Sequence, residues 1–331
     1  MRTFAVALCC LLLPLGAVQA KTFKIATIVP DGTRWMKEMK AGAEDIKMRT
    51  HGRVRFRFYP GGVMGNDKAV VRKMRVGQLS GGALTGGGLA LIYPDAQVYS
   101  LPMAFTSHEE VDYVRGKMDA RLIDALYQAG YVSFGFSDGG FAYLMSNAPL
   151  TTIADLAGHK VWVPEGDVFS QAAFEAVHVS PIPLPLADVL TGLQTGLIDT
   201  VASSPIGALA LQWHTKVKYA TDMPLMYLIG TIVLKRRDFD RLSPADQMVV
   251  REVMSKVFRR LDRLNREDNG RALAALKAQG ITFVEPTPQA RQAWREAVGA
   301  AVDKLVRQGT ISRRITDTFY SYLNAYRHGQ R

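Results

Sequence analysis

Six histidines, His51, His108, His159, His178, His214 and His328, are the first candidates for acid–base or metal chemistry. Their spacing supports neither. No His-Glu-x-x-His pair occurs and no histidine has a second one at helical spacing, so a zinc site is not expected. There is no Gly-x-Ser-x-Gly elbow and no phosphate loop ending in Gly-Lys-Ser/Thr. The run Gly81-Gly82-Ala83-Leu84-Thr85-Gly86-Gly87-Gly88 is not a dinucleotide fingerprint. Its glycines suit a place where backbone comes close to a neighbouring strand or a ligand. Residues that could bind without reacting are easier to find. Asp31, Thr33 and Trp35 fall on the first strand-to-helix loop, where open α/β sheets bind ligands. Asp31 could hold a cation or help Thr33 cap the helix, and Trp35 could face either a ligand or the core.

The elements that must position these residues alternate from the start. Phe23–Thr27 reads as a strand, Pro30–Thr33 as a turn, and 34–49 as a helix with apolar residues at Trp35, Met36, Met39, Ala43 and Ile46. A strand ending at Tyr59 and a helix over 67–76 follow. After Pro149 the pattern restarts with a strand over 160–163 and a helix over 168–177. This alternation predicts α/β architecture with largely parallel sheets. A longer element stands apart. Ser243-Pro244-Ala245-Asp246 sets a capping serine before a first-turn proline, and the helical pattern runs on to Gln279 and Gly280. Its first half carries an apolar stripe at Val250, Val253, Met254, Val257, Phe258 and Leu261. The stretch 262–271 is almost wholly polar, and apolar spacing resumes at Leu273 and Leu276. A polar middle between two amphipathic ends suits a helix that leaves one core, crosses water and enters another. The other reading is two helices broken near Gly270.

The chain has 331 residues, 48% hydrophobic and 21% charged, with a mean hydropathy near zero. Disorder and a polytopic membrane protein are thereby excluded, and about two domains are expected. The net charge of +11 raises the question of nucleic acid. The arginines of Arg53-Val54-Arg55-Phe56-Arg57-Phe58 alternate with apolar residues, however, as on a strand with one solvated face. Lys256, Arg259, Arg260, Arg263 and Arg266 are interleaved with Glu252, Asp262 and Glu267. This distribution fits a solvated or partner-docking surface rather than a nucleic-acid footprint. At the N-terminus, Arg2, an apolar run over 4–15 and small residues up to Ala20 describe a secretory signal peptide cut after Ala20. The run is too short for a transmembrane helix. Both cysteines, Cys9 and Cys10, lie inside it, so the exported chain has no thiol and no disulfide. Lipidation at either cysteine is the weaker reading, because Leu8 precedes Cys9 where a small residue is expected.

An ordered set of motifs then carries a resemblance. Asp155-Leu156-Ala157-Gly158-His159-Lys160-Val161-Trp162-Val163-Pro164 is followed by Val179–Leu184 and by Asp188-Val189-Leu190-Thr191-Gly192-Leu193-Gln194-Thr195-Gly196-Leu197-Ile198-Asp199. With Gly61–Gly65, Leu101–Phe105 and Lys216–Thr221, these resemble the DctP-like solute-binding proteins of TRAP transporters along nearly the whole exported chain. The resemblance implies a periplasmic receptor with no cofactor, catalytic residue or metal. Its fold would be a two-lobed, type II-like periplasmic-binding-protein fold with a long interdomain helix. Residues 21–138 with 231–265 would form lobe I, and 139–230 with 266–331 lobe II.

Departures from the family pattern suggest the ligand. Most members carry a carboxylate-clamping arginine where this chain has Trp162; a second cationic position falls near Phe141-Ala142, and an asparagine position falls at Ser203 or Ser204. Trp162 as a buried strand filler is the alternative. Phe141 and Tyr143 at the first crossing between lobes, Gln212 and Trp213 after the Gly196–Asp199 turn, and Tyr227 near the return crossing complete the expected site. A largely apolar or aromatic solute is expected, delivered to the membrane permease subunits of a TRAP transporter, with a tetratricopeptide-repeat protein as a further partner. An exported two-lobed enzyme and a sensor input protein are the competing functions; no nucleic acid is expected.

Overall fold

Strand and helix alternate along the computed structural model, which describes residues 20–329. The expected signal peptide, with Cys9 and Cys10, lies outside the described residues. The strands among them are β1 (Lys21–Thr27), β2 (Val54–Tyr59), β3 (Gly81–Thr85), β4 (Tyr131–Ser133), β5 (Ser137–Ser146), β6 (Trp162–Pro164), β7 (Ile182–Leu184), β8 (Thr200–Ser203), β9 (Tyr219–Thr221), β10 (Met226–Lys235) and β11 (Thr282–Val284). β1 pairs in parallel with β2 and β3, and β9 with β11. β5 and β10 are antiparallel to each other, and each joins a different set of neighbours. The N-terminal half of β5 pairs with β10, while its C-terminal half pairs with β8 and β9. One nine-stranded sheet, with the path β11-β9-β5-β10-β3-β1-β2 and with β4 joined to β10 and β8 to β5, therefore runs through both lobes. It is mixed rather than largely parallel, because two ten-residue strands return across it. A separate parallel pair, β6 and β7, is stitched to it by a bridge between Val161 and Thr200.

Local chemistry explains the helix boundaries. Thr33 accepts a hydrogen bond from Met36 N–H and starts the helix Arg34–Arg49, whose Met36, Met39, Ala43 and Ile46 are buried. Ser243 does the same for Asp246 N–H at the head of the helix Pro244–Ala278. That helix is one unbroken element of 35 residues, roughly 52 Å at about 1.5 Å per residue. Gly270 does not break it; a Cβ there would meet nothing within 4 Å.

The first half of this helix packs Val250, Val253, Met254, Val257, Phe258 and Leu261 into a core shared with Phe23, Ile25, Met39 and Ile46. Leu276, near its other end, enters the second lobe beside Trp162 and Trp213. Its polar middle does not cross water, as the sequence pattern suggested. It lies on β5, and the polar residues there have partners: Asn265 Nδ2 donates to Asp138 O, and Arg266 Nε reaches Asp138 Oδ2 at 2.8 Å. Arg115 pairs with Asp262 at 3.0 Å, and Asn269 accepts from Ile206 N–H. Gly140, at φ 81°, is required beneath this helix, since a Cβ would come within 2.6 Å of Asn269 Nδ2.

One assignment differs from the sequence-based division. The helix Arg313–Arg327 belongs to the first lobe, not the second. Ile315, Phe319 and Leu323 join the cluster built by Tyr99, Phe105, Met118 and Leu122. Asp95 accepts from the N–H and the hydroxyl of Ser312, and Arg327 pairs with Glu110, fixing both ends of that helix.

Candidate functional site

A cavity of about 270 Å³ lies between the lobes, where the crossing strands pass from one to the other. From the first lobe it takes Ile28, residues 66–68, the turn Thr85–Gly88, Gln97 and Ser100. From the second it takes residues 162–167, Phe174, Leu186, Ser203, Ser204 and Trp213, while Ala142, Met226 and Leu228 of the crossing strands form its floor.

The second-lobe wall is aromatic. Trp162 and Trp213 meet edge to face with ring centroids 5.0 Å apart, and the Trp162 Nε1–H donates to Leu184 O at 3.0 Å. With its one donor satisfied, the indole turns only apolar surface to the cavity. Both rings are buried, so Trp162 fills the strand and lines the cavity at once. Ser203 donates to Ser204 O, and Ser204 Oγ caps the helix Pro205–Ala210 by accepting from Gly207 N–H. The Ser204 hydroxyl keeps its own proton free for another acceptor.

Seven of the expected residues lie away from the cavity. Side chains alternate along a strand, so with Ala142 facing the cavity Phe141 and Tyr143 must point elsewhere. Phe141 packs between His108 and Tyr227. Tyr143 lies edge-on to Phe283, and burial raises its phenol above the ordinary value. Met226 and Leu228 face the cavity, so Tyr227 turns into the first-lobe core, where burial lifts its phenol and Arg115 Nη1 donates to its oxygen. Asp31 is exposed and pairs with Lys40 at 2.6 Å, Thr33 is the cap of the first helix, and Trp35 packs against the core under it. Gln212 is exposed in a left-handed turn (φ 59°) that points Trp213 inward.

The polar wall of the first lobe was not anticipated. Asp67 Oδ2 accepts from the N–H and the hydroxyl of Thr85, at 3.1 and 2.6 Å. Burial pushes its carboxyl above the ordinary range, against the pull of those two bonds. Gln97 is 1% exposed and donates through Nε2 to Asp167 Oδ1, which also caps the helix Val168–Ala176. A second link between lobes runs from Asn66 Nδ2 to Glu165 Oε2 at 2.6 Å. Asn66 and Asp67 open the helix Asp67–Arg75, Thr85 ends β3, Gln97 lies in the short helix Pro94–Ser100, and Glu165 and Asp167 follow β6. The rule that singled out Asp31, applied to each strand end, points to Thr85, Glu165 and Asp167 but not to Gln97. Among the described residues, Lys68 is the one cationic side chain in the wall, and no arginine lines it.

Among the described residues no group of His, Cys, Asp and Glu could hold a metal ion, and the hydroxyls of Thr85 and Ser170 each donate to a carboxylate of the wall, Asp67 and Asp167.

Comparison with known proteins agrees with this geometry. The family model DctP, described as bacterial extracellular solute-binding protein, family 7, matches residues 25–308. The C4-dicarboxylate-binding periplasmic protein DctP of Rhodobacter capsulatus is 27% identical over 266 residues, 78% of each chain. A TRAP periplasmic solute-binding protein from Sulfitobacter sp. NAS-14.1, solved with β-D-galacturonate, superposes with a TM-score of 0.83 at 22% identity, covering 92% of this chain and all 100% of the other. Another, from Desulfovibrio salexigens with orotic acid, gives 0.81 at 18% identity over 92% and 98% of the two chains. A model matched over most of the chain, on a fold with a cavity between two lobes, favours a receptor over the enzyme alternative: the chain belongs to the DctP family of bacterial extracellular solute-binding proteins.

Proposed function

We propose that the chain is the periplasmic receptor of a TRAP-type secondary transporter, and that it closes on a small, largely apolar or aromatic solute and delivers it to the permease subunits. The observation that carries the ligand class is the cavity wall: Trp162 and Trp213 stand in it and no arginine does, among the described residues. A carboxylate brought into such a space loses water at a cost of several kcal/mol unless paired charge replaces it. An indole supplies area instead, worth about 25 cal/mol per Å² buried. Relatives solved with galacturonate or glucuronate show what the same fold can hold, and a sugar acid is the competing ligand class here.

The test is a thermal-shift and scattering survey of the full exported chain. Uncharged aromatic and branched aliphatic solutes should raise the melting temperature and shrink the radius of gyration. Trp162→Phe, which keeps the wall apolar but shortens it, should weaken those solutes about threefold to tenfold. Tight binding of D-glucuronate or succinate, with no response to uncharged aromatics, would overturn the ligand class. The tetratricopeptide-repeat partner belongs to the same proposal, and its test is co-purification from the native envelope.

A further inference from the structure

The glycine run that the fold alone does not explain marks the chemistry of the ligand. Each glycine of Gly86-Gly87-Gly88 lies under a different polar side chain. A Cβ at Gly88 would sit 2.3 Å from Asp67 Oδ2 and one at Gly86 3.0 Å from Ser100 Oγ, with Gln97 Cγ at 3.8 Å, while one at Gly87 would make ordinary contact with Asp167 Cβ at 3.6 Å. Side chains from three separate segments thus border one turn at the cavity wall. Two of them, Asp67 and Gln97, carry an unfilled acceptor. Asp67 spends Oδ2 on both donors of Thr85, and its Oδ1 is buried with no partner. Gln97 spends Nε2 on Asp167, which leaves its Oε1 buried and also without a partner. A buried acceptor is costly until a donor reaches it. The charges nearby select the kind of donor: Asp67, Glu165 and Asp167 line the cavity against the single exposed Lys68.

We infer that this corner receives a protonated nitrogen, so that the solute is an apolar or aromatic amine whose ammonium donates to Asp67 Oδ1 and Gln97 Oε1 while its body packs on Trp162 and Trp213. The inference rests on the aromatic-cavity reading above and names the polar group of that ligand. A carboxylate would meet two acceptors and three acids here, and a neutral hydroxyl would satisfy an acceptor without answering the charge. Burial, which holds the Asp67 carboxyl above its ordinary range, is the strain that an ammonium would relieve.

Calorimetric titration of the full exported chain with two matched series tests this: phenethylamine, phenethyl alcohol and hydrocinnamate, and benzylamine, benzyl alcohol and benzoate, with D-glucuronate alongside. The amine of a series should bind about tenfold tighter than its alcohol and about a hundredfold tighter than its acid. Asp67→Asn should cost the amine about tenfold and leave the alcohol within about threefold, and Gln97→Leu should cost the amine less. The selectivity series uses the native protein and stands even where a variant fails to fold. Alcohols or acids bound as tightly as amines, or amine binding untouched by Asp67→Asn, overturns the inference while the aromatic-cavity reading survives. D-glucuronate bound with every aromatic probe rejected overturns both.

Discussion

Arg266 Nε lies 2.8 Å from Asp138 Oδ2, joining the middle of the long helix to the strand that crosses between the lobes. Asp138 is fully buried, and Arg266 also holds Asp112 through both terminal nitrogens. Burial by itself would raise the Asp138 carboxyl, but His108 and Arg266 outweigh it and hold the group below its ordinary 3.8. A lowered acid stabilises the fold above its unfolded value and loses that contribution as pH falls through the folded one. Asp138→Asn should therefore cost about 3 kcal/mol near neutrality, in line with breaking a buried pair. The gap between the two proteins should start to narrow as pH falls through the ordinary carboxylate value, where the unfolded chain takes up its proton, and close as pH passes the lower value of the folded carboxyl. Denaturant titrations at a series of pH values check both the size and the slope.

Gly140→Ala tests how closely that strand and helix must approach. The residue has φ 81°, and its Cβ would enter the Asn269 amide at 2.6 Å. Backbone strain and the clash act together, so a loss of about 2 kcal/mol or more is expected. Restoring room with Asn269→Ala should recover part of it.

Gly270→Ala should move the other way. The position is mid-helix, and an added methyl meets nothing within 4 Å. Relief of the glycine penalty should give about 0.5–1 kcal/mol, read as a higher melting temperature.

The edge-to-face pair of Trp162 and Trp213 is expected to be coupled. Trp162→Ala should cost about 3–5 kcal/mol by leaving a cavity. A double-mutant cycle with Trp213→Leu should return a coupling of about 0.5–1.5 kcal/mol.

Glu165→Ala removes an acceptor that Asn66 reaches across the lobes at 2.6 Å. The loss should fall on closure rather than on the fold of either lobe. Ligand affinity should drop about threefold to tenfold with the melting temperature of the free protein nearly unchanged. Scattering of the free and the bound variant checks it.

The long helix was legible because its limits are local: Ser243 and Pro244 start it, and Gly280 follows its last turn. The partners of its polar middle were not, since Asp138 and Arg266 stand 128 positions apart and meet only through the fold. In the site, Trp162, Ser203, Ser204 and Trp213 were found at the cavity wall. Phe141, Tyr143 and Tyr227 were missed by one residue. In Phe141-Ala142-Tyr143-Leu144-Met145 both faces of the strand are apolar, so no polar alternation tells which parity faces the ligand. Asp67 and Gln97 carried no local signal, since Asp67 opens a helix and Gln97 lies inside the short helix Pro94–Ser100. They come together only because separate segments meet at one glycine turn.

The first lobe's core is finished by residues far along the chain: Phe319 meets Phe105 edge to face at 5.1 Å, and Leu305, Ile315 and Leu323 fill the same cluster. During synthesis, that lobe is left with an open apolar wall until residues 302–323 have been made. Early compaction of that lobe is thereby denied the contacts that its last helix supplies. The order of assembly is written into which helix closes which core.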